Sequence, residues 1–380
     1  MHIERVELIT VRMPLVHPFT TSFSTQTERR PLLVRVTASR DGSTVTGWGE
    51  CVALADPSYS PEYLDGAREI LRRFLVPSLL AWQASGRAVT AEVVATATEH
   101  VVGHRMAKGA LEMAVLDAGL RLDGRSFATH LGVTRTEVPS GVSVGIESSI
   151  PEVLARVGGF LDEGYARIKL KIQPGWDIEP VRAVREEFGD VPLQVDANTA
   201  YRLSDAPLLR RLDAFDLLLI EQPLAEDDLR QHALLARQIA TPICLDESIV
   251  SVEAAADAIA WGATSVINIK PGRVGGYLAA RRIHDLARAH GIAVWCGGML
   301  ETGIGRAANI ALAGLPGFTL PGDVSGSDRF YAQDITDPVV MKDGVVAVPD
   351  GPGFGVEPIA DVLEELTVDA VDVTAELAGA

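Results

Sequence analysis

Five charged residues recur along the middle of this chain at a nearly constant step. Lys171, Asp196, Glu221, Asp246 and Lys270 are spaced by 25, 25, 25 and 24 residues, and each closes an apolar run: RIKLK, PLQVD, LLLIE, PICLD and SVINIK. Short apolar runs alternating with helical stretches specify parallel strands joined by helices. A charge at the C-terminal tip of each strand is what a parallel barrel shows when its strand ends converge on one site. Few folds accept that pattern. The expected class is α/β: a (β/α)8-type barrel, in its modified (β/α)7β form, with an N-terminal α+β capping domain.

The rest of the chain divides around this core. Residues 1–130 read as the cap, with alternating strand-like segments near 2–12, 31–38 and 43–52 and a strong amphipathic helix over 106–122. Residues 131–334 read as the barrel, with strands near 140–146, 168–172, 192–196, 217–221, 242–246, 265–270, 292–297 and 317–320. Residues 335–380 contain a hairpin-like VVMKDGVVAV and an acidic end, and are expected to return to the cap.

The bulk numbers narrow the partners. At 380 residues and 47% hydrophobic content the chain can bury a large core, and its net charge of −17 repels nucleic acid and anionic membranes. A small anionic substrate is compatible, provided lysines and a cation reverse the field locally. No uncharged apolar run reaches the ~18 residues that span a bilayer. The N-terminus reads as a strand rather than a signal peptide, and the three scattered cysteines as reduced thiols, so the expected location is cytoplasmic.

Lys169 and Lys171 lie at i and i+2 on one strand and leave on the same face. A lysine facing the helix layer would be costly to bury, so both are expected in the barrel mouth. One carboxylate at a strand end is commonly a helix cap, but three on consecutive strands need their charge compensated. A hard cation with oxygen ligands does this, which makes Asp196, Glu221 and Asp246 candidate ligands of Mg2+. Asn198 and Glu247 are candidate supports, Glu247 as a partner of Lys270. Removing a proton alpha to a carboxylate creates a dianion, which needs a cation to stabilise it and a base of lowered pKa to form it. Lys171 and Lys270, on strands two and six, would approach the substrate carbon from opposite sides. That permits racemisation, with one lysine taking and the other returning a proton, or elimination with one as base. A Schiff-base lyase, needing no metal, would also want a desolvated lysine, though not three carboxylates beside it.

The order KxK, D, E, D, K resembles the muconate-lactonising subgroup of the enolase superfamily. Within it, GALEMAVLDAGLRLDGRSFATHLGV, RIKLKIQPGWD, QVDANTAY, LIEQPL, CLDESI, INIKPGRVGG and GGMLETGIGRAAN are similar to o-succinylbenzoate synthases that also racemise N-acylamino acids. The resemblance implies Lys171 and Lys270 as acid/base residues, Lys169 as support, and Asp196, Glu221 and Asp246 as Mg2+ ligands, with Mn2+ or Co2+ able to substitute. The activity implied is dehydration to o-succinylbenzoate in menaquinone synthesis, racemisation of N-acylamino acids such as N-succinylamino acids, or both. Muconate cycloisomerase and dipeptide epimerase are the alternatives within the subgroup; Asp323 keeps the epimerase open as an acidic determinant for a peptide amine. The family's distal pocket maps onto Phe19, Phe23, Ser143, Gly298, Met299, Leu300, Arg306 and Phe330. The resemblance further implies a homo-oligomer, octameric in some relatives.

Overall fold

The computed structural model describes residues 1–21 and 24–379. The cap begins with strand β1 (His2–Val11) and a hairpin of β2 (Met13–Thr20) and β3 (Thr25–Arg29), followed by β4 (Leu32–Arg40) and β5 (Ser43–Cys51). The barrel side adds β6 (Glu137–Pro139), then β7 (Gly141–Val144), β8 (Arg167–Lys171), β9 (Leu193–Asp196), β10 (Ile220–Glu221), β11 (Ile243–Leu245), β12 (Val266–Ile269) and β13 (Ala293–Cys296). The tail supplies β14 (Met341–Lys342), β15 (Val345–Ala347) and β16 (Thr367–Asp372).

Strands β7 to β13 form one parallel sheet in sequence order, with helices such as Ile150–Asp162, Ile178–Phe188, Val252–Trp261 and Tyr277–Ala289 between them. Most of the strand residues are apolar and nearly all are buried, because both faces are covered, one by helices and one by the barrel interior. An eighth strand over 317–320 does not form as a ladder. The segment instead makes single parallel bridges, Phe318 to Val294 on β13 and Gly322 to Ser140 beside β7. Hydrogen bonds from Gly141 N to Gly322 O (2.7 Å) and from Asp323 N to Cys296 O (2.9 Å) tie it to both edges. Pro321 has no N–H to donate, so regular pairing breaks there while the ring still closes.

In the cap, a four-stranded sheet runs in the order β16-β1-β4-β5, so the C-terminal strand pairs antiparallel with the first. The VVMKDGVVAV hairpin goes elsewhere: β15 pairs with β6 at the barrel entry. The helix Arg105–Leu122 is not amphipathic in use, since 13 of its 18 residues are buried. Ala107, Ala110, Ala114 and Ala118 make a fully buried small-residue stripe against β5. A Cβ at Gly47 or Gly49 would collide with the backbone of that stripe, so only glycine lets sheet and helix come this close. The opposite face of the helix meets the barrel at Gly276 and Tyr277. It is therefore a wall shared by both halves.

Candidate active site

Parallel pairing places the charged residues. Lys171 is the register partner of Asp196, and Asp196 of Glu221, while Asp246 follows directly on β11 and Lys270 on β12. All five lie at the C-terminal ends of strands. Lys169, Lys171 and Lys270 line a cavity between cap and barrel, together with Asn198. Its walls include Phe19, Leu54, Met299, Leu300 and Phe330.

The carboxylates stand behind these amines, buried and compensated. Asp196 is 1% exposed, and Glu221 and Asp246 are 0% exposed. Lys171 Nζ donates to Asp196 Oδ2 (2.6 Å) and Asn198 Oδ1 (2.7 Å). Lys169 Nζ contacts Glu221 Oε2 (3.1 Å), Asp196 Oδ2 (3.6 Å) and Asp323 Oδ2 (2.9 Å). Lys270 Nζ donates to Asp246 Oδ2 (2.8 Å) and Tyr59 Oη (3.2 Å), and Arg273 pairs with the other Asp246 oxygen. Glu247 does not bond Lys270. Its Oε1 accepts from Asn198 Nδ2 (3.0 Å), so it holds the asparagine that holds Lys171. Asn198 sits at φ 40, a left-handed conformation that asparagine tolerates.

Charges follow this crowding. Burial opposes ionisation of Asp196, but Lys171 and Lys169 outweigh it and hold the carboxyl down at about 2. Burial, then the Asp196 charge, pushes Glu221 up and Glu247 up to about 7. Burial works against the Lys169 and Lys270 ammonium groups too, yet Asp323, Glu221 and Asp196 around Lys169, and Tyr59, Glu247 and Glu221 around Lys270, outweigh it and raise both. A lowered lysine pKa is thus not what this arrangement gives: with the carboxylates as their partners, Lys169 and Lys270 are stabilised in the charged form.

The distal residues divide. Phe19, Ser143, Gly298, Met299, Leu300 and Phe330 line the cavity, whereas Phe23 lies outside the described residues. Arg306 is buried away from the cavity lining and donates to the Ser325 and Glu301 carbonyls (2.9 Å each), because a helix-borne guanidinium there serves the turn that precedes its own helix. Asp323 lines the cavity but is taken by Lys169 and by Arg167 Nη2 (2.9 Å), which together hold its carboxyl far below the usual range despite burial.

Sequence reasoning missed several members. Asn268 donates to Glu221 Oε1 (2.7 Å), and its i−2 position to Lys270 on one strand was a readable signal. Arg273, one helical turn after Lys270, was also within reach of inspection. Tyr59, from a cap loop, carried no signal.

Comparison with known proteins resolves the family. Residues 152–362 match the profile described as Enolase C-terminal domain-like, and residues 4–132 match the mandelate racemase / muconate lactonizing enzyme N-terminal domain. The chain belongs to the enolase superfamily. It is 63% identical to an N-succinylamino acid racemase of Amycolatopsis sp, over 98% of this chain and 99% of the relative. It is 43% identical to an o-succinylbenzoate synthase of Bacillus subtilis (strain 168), over 96% of each. A solved enolase-superfamily structure from Listeria innocua superposes with a TM-score of 0.92 at 38% identity, covering 98% of this chain and 99% of that one. As an enolase-superfamily chain it belongs among enzymes that act on small carboxylates and generally depend on a divalent metal. Among the described residues no helix is long and apolar enough to cross a membrane.

The residues suit a hard divalent cation in donor chemistry. Asp196, Glu221 and Asp246 offer only oxygen, on three adjacent strand ends, and Glu247 Oε2 is buried with no hydrogen-bond partner among the described residues. Among the described residues, however, no three acidic, histidine or cysteine side chains are gathered as a ready cage, and each of these carboxylates is paired with a lysine or arginine.

Proposed function

We propose that this enzyme moves a proton alpha to a carboxylate, racemising N-acylamino acids of the N-succinyl class and catalysing the dehydration that yields o-succinylbenzoate. One observation carries the reading. Lys171 Nζ, from β8, and Lys270 Nζ, just after β12, enter the same cavity from strands four places apart in the sheet. Two opposed amines can serve the two faces of one carbon. The same reading divides the chain into a cap (1–130), a barrel (131–334) and a return segment (335–380).

In this mechanism Asp196, Glu221 and Asp246 hold Mg2+, which when bound supplies positive charge where the substrate carboxylate gains negative charge. A cation there would also offset the Glu221 share of the field that, after Tyr59 and Glu247, raises Lys270, and so would favour the free amine that acts as a base. Asp196 and Asn198 hold the Lys171 amine from two directions, and Asp246 and Tyr59 do the same for Lys270. One lysine takes the α-proton and the other delivers one from the opposite side, inverting the centre. In dehydration, one takes the α-proton and returns it to the departing β-hydroxyl, which leaves as water, while the partner ammonium stabilises the developing charge. Lys169 spans Glu221, Asp196 and Asp323 and keeps that acidic wall in place.

Two alternatives fit less well. A dipeptide amine would need a free acid at the distal end, and Asp323 is already bonded to Lys169 and Arg167. Imine formation needs an amine that loses its proton readily, whereas burial here is outweighed by Tyr59, Glu247 and Glu221 around Lys270.

The test is solvent exchange. With Mg2+ in D2O, N-succinylamino acids should gain α-deuterium as they racemise, and the alcohol precursor of o-succinylbenzoate should lose water. A protein that does neither, with metal bound, would refute the assignment.

A further inference from the structure

Four cationic side chains line the cavity: Lys169, Lys171, Lys270 and Arg329. Each of the three lysines is bonded to a buried carboxylate, but Arg329 forms no ion pair among the described residues. Among the described residues its Nη2 donates to the backbone oxygen of Ser143 (3.1 Å), and its Nε is buried with no hydrogen-bond partner. The rings of Phe160 and Phe330 flank it, with centroids 4.8 and 5.2 Å from Cζ. A guanidinium flanked by aromatic rings keeps its in-plane N–H edge for a planar anion such as a carboxylate. Asp323, the acid on the same wall, is occupied by Lys169 and Arg167. In a chain of net charge −17, this pocket cation feels Glu163 and Asp323 only at longer range and is paired with neither among the described residues.

Position defines which anion. Arg329 is anchored on Ser143 of β7, whose register partner on β8 is Lys169. It therefore stands one strand beyond the lysine end, with Phe330 as an apolar wall. Resting on the function proposed above, we infer that Arg329 is the receptor for a second, distal carboxylate, so that the site selects acyl groups ending in an anion, as a succinyl chain does. The α-carboxylate then lies at the lysine end and the acyl carboxylate at Arg329.

Calorimetry with N-succinylglycine, its terminal amide and N-acetylglycine tests this without turnover. The wild type should bind the succinyl acid about 30-fold or more tighter than its neutral amide, the range of a lost charge-assisted bond. Arg329→Gln should reduce that preference to within about threefold, and Arg329→Lys should restore part of it. In racemisation of matched N-succinyl and N-acetyl amino acids, Arg329→Gln should lower the succinyl/acetyl ratio of kcat/KM by about 30-fold, chiefly through KM. Equal wild-type binding of acid and amide, or a preference untouched in Arg329→Gln, would overturn the inference. Wild-type discrimination without any α-proton exchange would refute the proposed reaction while leaving the receptor in place.

Discussion

Glu112 offers a quantitative test of how cap and barrel are joined behind Lys270. It projects from the shared helix Arg105–Leu122, is 5% exposed, and accepts the backbone N–H groups of Tyr277 and Leu278 (3.3 Å each) at the start of the barrel helix Tyr277–Ala289. Burial dominates these bonds and pushes its carboxyl up from 4.5 to about 8. Between those pH values the folded chain retains a proton that the unfolded chain has released. The associated stability is complete below pH 4.5 and is lost as pH rises through 8. At about 1.4 kcal/mol per pH unit, raising pH from 5.5 to 9 should remove about 3 kcal/mol. Glu112→Gln cannot titrate. Its own stability is not the readout, because an amide nitrogen facing a backbone N–H carries a separate cost. The readout is the difference between wild type and variant, from urea unfolding followed by tryptophan fluorescence at several pH values. Glu50 and Asp117, also pushed up by burial to about 7 and about 6, titrate in both proteins and cancel. The wild-type advantage should fall by about 3 kcal/mol across the range. Parallel curves would show that Glu112 is ionised in the fold and that burial does not govern it.

The remaining predictions concern the site and its support. Lys171→Ala and Lys270→Ala should each lower racemisation at least about 100-fold, while α-deuterium exchange survives for one enantiomer in each variant, opposite between the two. NMR of single enantiomers in D2O reads this, and loss of exchange for both enantiomers in both variants would contradict a division of labour. Stripping divalent metal with EDTA should abolish turnover and Mg2+ should restore it; Asp246→Asn should weaken Mg2+ binding by calorimetry, since Asp246 would lose charge on an oxygen-only site. Gly276 has φ 122 and ψ −179, a region open essentially to glycine, and a Cβ there would strike Glu112. Gly276→Ala should therefore cost about 1–3 kcal/mol in urea unfolding, and a neutral result would show that the junction yields.

What the sequence revealed and what it hid have one physical origin. The strand-end charges were legible because a parallel sheet converts a constant chain interval into a constant spatial step, so period alone stacked Lys171, Asp196 and Glu221 as register neighbours. Asn268 follows the same two-residue rule from Lys270 and was open to the same reasoning. The eighth strand was overstated because an apolar run between two prolines looks like a strand, while Pro321 removes a donor the ladder needs. Tyr59 and Arg329 were hidden for a different reason: their roles arise where a cap loop and the segment following Pro321 meet the barrel, and no sequence interval encodes that meeting. The orientation of Glu247 belongs to the same class, since its partner is fixed by Asn198 in a left-handed turn rather than by strand alternation. Periodicity therefore locates the groups carried on strands, which here are the candidate proton-transfer and metal-binding groups. Groups that would select the substrate sit on the connecting loops, where only three-dimensional contact reveals them. On this argument a relative could keep all five strand-end charges and still accept a different acyl chain, the change residing at positions such as Arg329.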